Sequence, residues 1–340
     1  MAVKVRLDRG PKGKPTLTLD DFRHPEDVRM HRKALIETLV IWVLMIGFVT
    51  LFGTFFGKEK KPLIYGIIAA VAAGWVLLSV FYFLVIARSG ERREETELRK
   101  QQKRDAMADA EEAAAVKGLE DYARGVARSL GASVSAVVLA DGPPEARTAG
   151  RTIVLTRSLR QQLGPQDVEG AIARQVGHLR AKHANPTRLE QRIERLDPIM
   201  RYSLALPVTI LAHRLATWVP YAERSADRAA QVMVQNHRVC GSAIIKEAIA
   251  RYGGEIEWRE TDGWETEDAD EQRAVDTEEL SAYLSREGEL TLDAGDMTSH
   301  YRLGEFLRQH PDVRSRVGEL AQFAASPEYR VAAAKLKPTK

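Results

Sequence analysis

The stretch of sequence that decides the fold is VEGAIARQVGHLRAKH, which runs from Val168 to His183. As a helix, it places Arg174 and His178 four residues apart on one face, with Gln175 beside them. Two histidines at this spacing can hold a metal ion, and a glutamate after the first can activate a bound water. Only the second histidine is present here. The question is therefore whether this helix takes part in a reaction or has only a structural role.

Length and composition set the broad class. The 340 residues are enough for one sizeable domain with accessory segments, and the net charge of +3 does not indicate binding to nucleic acid. The single cysteine, Cys240, excludes an internal disulfide and is typical of a reducing compartment. Because its neighbours follow an apolar helical pattern, we interpret Cys240 as a small buried hydrophobe.

Two uncharged runs near the N-terminus predict a transmembrane hairpin. Residues 38–57 and 63–87 are each long enough to cross a hydrocarbon core of about 30 Å as a helix. Residues 1–37 are interpreted as a basic tail. Basic residues before the first run and after the second place both termini and the main domain in the cytoplasm. We expect an integral membrane protein, of the inner or plasma membrane if bacterial, with the lipid bilayer as a partner.

The rest of the chain predicts a mainly helical α+β domain. Residues 88–115 favour a solvated, charged helical stalk, and the domain is assigned to 116–324, with an acidic insertion at about 255–279 and a tail at 325–340. Two short strands, Val134–Leu139 and Thr152–Thr156, are expected to form a hairpin, with Glu145–Gly150 in the loop before the second. Residues 202–212 are apolar but too short to span a bilayer, so we favour a core helix, buried or grazing the membrane.

Two later motifs accompany the helix. ERSAD places Glu223 and Asp227 four residues apart, and HPDVRSR begins at His310 and contains Arg316. In this order the motifs resemble the membrane zinc endopeptidases of the HtpX and CAAX prenyl endopeptidase type, over roughly residues 119–323. The resemblance implies a zincin-like metallopeptidase domain in which His178 matches the second zinc ligand and Glu223 the third. It also implies that Asp227 supports the site. The remaining matches to the family's motifs are His183, His310, Pro311 and Arg316.

This sequence departs from the family at the positions that would bind zinc and activate water. Arg174 stands where the resemblance puts the first zinc ligand, and Gln175 stands where it puts the catalytic glutamate. A guanidinium stays protonated and offers only donors, so it cannot bind zinc. Gln175 cannot take a proton from water. We therefore expect no catalytic residues and no cofactor, and zinc at His178 and Glu223 only if some other ligand set has been rebuilt.

The positive charge of Arg174, at the position of the first zinc ligand, suggests a negatively charged partner. We expect Arg174 to pair with Glu223, which would replace one cation by another and keep the two helices in register. Each residue also has an ordinary structural interpretation. His178 alone is more often a core histidine than a ligand, and Glu223 with Asp227 could form a solvated acidic face. His183 and His213 could in principle rebuild a site with His178, although nothing in the sequence fixes their geometry.

Three functions stay open on the sequence. The favoured one is a membrane-anchored pseudopeptidase that binds a membrane or membrane-associated protein, or a homologous subunit, as part of a homo- or hetero-oligomer. The second is an active zinc endopeptidase in membrane protein quality control with a rebuilt ligand set. The third is a structural component of a membrane complex, with its contacts made by the stalk and the acidic insertion.

Overall fold

The computed structural model describes residues 16–54, 66–81 apart from 68, 78 and 80, 93–100, 110–183, 206–252 and 310–336. The chain forms two compact units. The first, which we call the sheet unit, comprises Met1–Arg23, Glu95–Ala181 and Arg224–Lys340. The second, the α1 unit, comprises His24–Glu94 and Lys182–Glu223.

The described chain is mainly helical, with one small sheet. The helices are α1 (Pro25–Thr54), α2 (Ala110–Leu130), α3 (Arg157–Gln162), α4 (Pro165–Ala181), α5 (Leu206–Ala216), α6 (Val219–Val234), α7 (His237–Tyr252), α8 (Pro311–Ala325) and α9 (Pro327–Lys335). The strands are β1 (Ala136–Ala140), β2 (Ala146–Ala149) and β3 (Thr152–Thr156). Residues 93–100 and the described residues of 66–81 are also helical. This confirms the predicted α+β class.

The sheet differs from the predicted hairpin. The two predicted strands do pair, but β1 runs parallel to β3, with Val138 opposite Val154. The antiparallel partner of β3 is β2, so the strand order is β1-β3-β2. Gly150, with φ at +58°, provides the tight turn between β2 and β3. The strand β2 was placed in a loop by the sequence because its residues, ARTA, show little of the β-branched pattern of β1 and β3.

Helix α4 lies at the centre of the sheet unit. It packs against α2, α7 and β2, and most of its residues from Asp167 to His178 are buried. Gly177 of α4 lies against α6. A Cβ at that position would lie 2.8 Å from the Cβ of Ala229 and 3.2 Å from the Cα of Ala226, both on α6. Glycine therefore permits the crossing of α4 and α6.

The described stretch of the predicted stalk, residues 93–100, is helical and mostly exposed, and a single apolar residue in it packs on the sheet. Leu98 is only 9% exposed and joins a cluster with Val138 and Val154 of the sheet. The carboxylate of Glu95 accepts hydrogen bonds from the hydroxyls of Ser135 at 3.0 Å and Thr152 at 3.2 Å. Residues 101–109 of the predicted stalk lie outside the described residues, as does the predicted acidic insertion.

The predicted tails contain ordered structure. Pro25 begins α1, since the first helical position needs no backbone N–H, and Glu26 and Asp27 stand in the first turn. Leu17 and Phe22, within the predicted basic tail, are fully buried in the core of the sheet unit. At the other end, Pro327–Lys335 forms α9 where the sequence predicted a tail.

The α1 unit has its own small core. Ala34 of α1 packs with Leu215 and Trp218, and the indole N–H of Trp42 donates to the carbonyl oxygen of Pro207 at 3.0 Å. Helix α5 overlaps the apolar run predicted at 202–212. Large apolar side chains of α1 are nevertheless exposed, among them Leu39, Val43, Leu44 and Phe48.

The predicted membrane topology is contradicted. In the described part of the chain, no helix combines the length and the apolar character needed to cross a membrane. This finding contradicts the expectation of an integral membrane protein with a transmembrane hairpin and cytoplasmic termini. Residues 55–65 and 82–92 of the predicted spans and their flanks lie outside the described residues.

Candidate functional site

Two contacts of Asp167 hold the N-terminal turn of α4, which precedes the candidate residues of this helix. Pro165 is the first helical residue, and the carboxylate of Asp167 accepts the backbone N–H of Gly164 at 3.1 Å. The same carboxylate accepts Lys246 of α7 at 2.7 Å. Both side chains are largely buried, so this ion pair positions α4 against α7.

Arg174 is buried in the middle of α4 and is paired with a carboxylate. Its guanidinium donates to Glu247 of α7, and both side chains are only 7% exposed. The sequence had predicted Glu223 as the partner, and Glu247 takes that role instead. A buried guanidinium needs a carboxylate within hydrogen-bonding distance, and α7 supplies one because it packs along α4.

The second oxygen of Glu247 is also used. It accepts Arg251, one turn later on α7, at 3.2 Å. Arg251 is 45% exposed, so its charge is well solvated and its bond to Glu247 is weak. The buried centre of the site is thus the Arg174–Glu247 pair.

Gln175 is committed to the sheet. Its amide Nε2 donates to the backbone carbonyl oxygen of Ala146 on β2 at 2.9 Å, and the residue is 5% exposed. The backbone N–H of Thr156 donates to the carbonyl oxygen of Glu145, so these two residues form a hydrogen-bonded pair at the start of β2. Bonded and non-bonded pairs alternate along an antiparallel ladder. The backbone groups of Ala146 and Thr148 therefore point away from β3. A glutamate at this position could not donate to that carbonyl at neutral pH. Glutamine therefore stabilises the contact between α4 and β2.

Asp227 and Arg316, from two different motifs, meet in the sheet unit. The Arg316 guanidinium donates to both oxygens of Asp227 at 2.8 Å, and Asp227 is 2% exposed. This bidentate geometry is the strongest form of an arginine–carboxylate pair. The His310–Pro311 step begins α8, which carries Arg316 to α6. The two motifs thus join α6 to α8.

The histidines are distributed between the units. His178 is 6% exposed on α4, in the sheet unit. His183 belongs to the α1 unit, where its Nε2 lies 3.2 Å from the Asp27 carboxylate. The indole N–H of Trp218 donates to the other oxygen of Asp27 at 2.6 Å. His183 is therefore part of a buried Asp27–His183–Trp218 cluster that the sequence did not predict.

Cys240 is buried beside the charged residues of α4 and α6. Burial raises the pKa of its thiol, the carboxylates of Asp227 and Asp167 raise it further, and Arg174 opposes them. The thiol is therefore protonated and unreactive at neutral pH. This agrees with its interpretation as a small buried hydrophobe.

The residues of the site do not fit zinc. Within the described residues, no three histidine, cysteine or acidic side chains are placed to hold a metal ion. The chemistry of the donors is equally unfavourable. Arg174 brings a permanent positive charge, and Gln175 has its amide directed at a backbone carbonyl.

Glu247 is the residue of this site that the sequence reasoning missed. A signal for it exists in the sequence. Cys240, Ile244, Glu247 and Ala248 follow the spacing of one helical face, and the other three are apolar. A lone carboxylate on such a face predicts a buried cation as its partner, and Arg174 is the cation in the buried middle of α4.

Comparisons with protein-family models, with curated proteins and with solved structures gave no match. The likeness to zinc endopeptidases therefore rests on the motifs of this sequence alone.

Proposed function

We propose that this chain is a pseudopeptidase, with a zincin-like domain that does not hydrolyse peptide bonds and that acts by binding another protein. The observation that carries the proposal is the buried Arg174–Glu247 pair. It puts a permanently charged guanidinium at the position that the motif assigns to the first zinc ligand, and it gives that charge a dedicated partner.

The pair and Gln175 both oppose hydrolysis. Zinc hydrolases use three protein ligands and a general base near the metal-bound water. Here Arg174 is cationic, and the neutral amide of Gln175 is not basic enough to take a proton from water. The Nε2 of that amide is bonded to the carbonyl oxygen of Ala146. These residues support helix packing instead of a reaction.

The site residues also have little contact with solvent. Arg174, Gln175 and His178 are each 5–6% exposed, so a partner cannot touch them directly. The apolar face of α1 offers a contrasting surface, since Leu39, Val43, Leu44 and Phe48 are 58–67% exposed. Exposed apolar surface of this extent is typical of interaction sites. We assign this face to an apolar helix of the partner protein.

A proteolysis assay tests the loss of activity. Purified chain is incubated with an unstructured protein substrate, with added zinc and with a chelator, and cleavage is followed by mass spectrometry. We expect no cleavage above that of a chain carrying His178→Ala. Cleavage that requires zinc and disappears in the His178→Ala chain would overturn the proposal.

Co-purification tests the binding surface. Val43→Ser and Leu44→Ser together should remove the partner, because they add hydroxyls to a face that the partner would have to desolvate. The matched control is the Arg174→Met/Glu247→Met chain, which changes only buried residues and should keep the partner. Loss of the partner in the control, with retention in the serine chain, would refute the assignment to α1.

A further inference from the structure

One exposed stripe of α1 changes from basic to apolar along the helix. Its members follow one another at steps of three and four residues, so they lie on one face, and all five are exposed: Arg29, Arg32, Ile36, Leu39 and Val43. The apolar part belongs to the face of α1 that we assign to a partner helix. The basic part extends that face toward the N-terminus of α1.

The basic end of the stripe borders an open groove of about 480 Å³, which we call the α1 groove. Among the described residues, Val28 and Ile36 give it apolar lining. Arg29, Arg32 and Lys33 add three cations to the same lining. A groove that combines apolar and basic side chains favours a carboxylate carried on a short apolar stem, as in an acidic amino-acid side chain.

The cations of the α1 groove differ in the contacts they already make. Arg29 pairs with Glu26 at 3.2 Å, and Lys33 lies 3.9 Å from Glu37. Arg32 forms no ion pair or hydrogen bond with any residue that the structure describes. A guanidinium offers five N–H donors, so Arg32 can bind an incoming carboxylate without losing a contact inside the chain.

Glu37 limits the kind of anion that the α1 groove accepts. Its carboxylate also lines the groove, where it lies near Lys33 and 3.6 Å from Arg214. An extended anionic surface, such as a layer of phospholipid headgroups, would meet this carboxylate as well as the cations. A single carboxylate at Arg32 avoids most of the repulsion, because Arg32 lies about 7.5 Å before Glu37 along the helix axis.

We propose that the α1 groove binds an acidic residue of the partner helix, with Arg32 as its main contact and Arg29 and Lys33 as flanking cations. This inference rests on the proposed function, because it extends the same face of α1. It describes the partner as a helix with an apolar stripe and an acid beyond one end of the stripe. From the separation of Arg32 and Val43, the acid lies about 16 Å along the partner helix from the residue that packs on Val43.

Two designed peptides test the groove on the full chain. Both are leucine-rich helices; the acidic peptide carries a run of glutamates beyond one end of the leucine stripe, and the basic peptide carries lysines there. Fluorescence anisotropy gives the Kd of each peptide at low and at high salt. We expect the acidic peptide to bind several-fold more tightly, and this difference to shrink at high salt, which screens exposed charges.

Charge reversal at Arg32 locates the preference. In an Arg32→Glu chain, the acidic peptide should bind several-fold more weakly and the basic peptide more tightly than in the wild type. The matched control is Arg128→Glu, which changes the net charge equally at an exposed residue of α2 and leaves the groove unchanged. It should keep the wild-type preference. An unchanged preference in Arg32→Glu, with the chain folded by circular dichroism, or an equal change in Arg128→Glu, would overturn the proposal.

The Val43→Ser/Leu44→Ser chain separates this inference from the proposed function. If the wild type binds both peptides equally and the serine chain binds neither, the apolar face is supported and the α1 groove is refuted. If the wild type binds neither peptide, both are refuted. Phosphatidylglycerol vesicles are the third probe. Vesicle binding that is lost in Arg32→Glu, with no binding of either peptide, would assign the groove to lipid headgroups and overturn the proposal.

Discussion

The Arg174–Glu247 pair makes the sharpest prediction about stability. Glu247→Ala leaves the Arg174 guanidinium without its partner while the arginine side chain stays only 7% exposed. Removal of one member of a buried pair destabilises a protein by about 3–5 kcal/mol, because an uncompensated charge is left out of water. The control is Arg251→Ala, which removes the other bond to Glu247 at a residue that is 45% exposed. It should cost less than about 1 kcal/mol.

Hydrogen exchange along a urea series is the appropriate measurement, because amides of α4 and α7 report the sheet unit by itself. The double variant Arg174→Met/Glu247→Met keeps similar volume and removes both charges. It should be near the wild type in stability or more stable. Equal costs for Glu247→Ala and Arg251→Ala, or additive costs for the Arg174 and Glu247 single changes, would refute a coupled buried pair.

Three further predictions concern single residues. In thermal unfolding, Gly177→Ala should destabilise the chain by about 1–3 kcal/mol, since its Cβ would lie 2.8 Å from that of Ala229. The control, Gly170→Ala on the same helix, meets nothing closer than 3.6 Å and should be neutral or stabilising. Cys240 should react with a thiol reagent only after unfolding, because its pKa is raised by burial; rapid labelling of the native chain at pH 8 would contradict its placement. The pKa of Asp21 is lowered in the folded chain, so its ionised form adds stability above the ordinary value of 3.8, and that stability is lost as the pH falls through the folded pKa. The difference in stability between the wild type and Asp21→Asn should therefore shrink on acidification. A difference that grows there would contradict the pairing of Asp21 with Lys335.

Local patterns predicted much of the helical fold. The periodicity of the sequence indicated the helices that carry RQVGH and ERSAD, and the strands Ala136–Ala140 and Thr152–Thr156 lie where β-branched runs predicted them. The orientation of those strands was not predictable in the same way. A short connection suggested a hairpin, but a third strand, ARTA, lies between them in sequence and takes the antiparallel place beside β3.

Long-range partners were harder to predict than elements. The sequence placed a cation at Arg174 and correctly required a carboxylate for it, but it favoured Glu223, which a motif had already made conspicuous. The observed partner, Glu247, lies in no motif, and only its position on an apolar helix face marks it as buried. Leu17 and Phe22 show the same limit, since isolated apolar residues among prolines and charges resemble a tail until the α2 and α9 surfaces that bury them are known.

The central claim is that the zinc position of the motif is taken by a paired arginine, and the metal content of the purified chain tests it most directly. The chain is equilibrated with excess zinc, desalted and measured by inductively coupled plasma mass spectrometry, beside a His178→Ala chain. The proposed function predicts no retained zinc above that of the His178→Ala chain. One zinc per wild-type chain, absent from the His178→Ala chain, would contradict it.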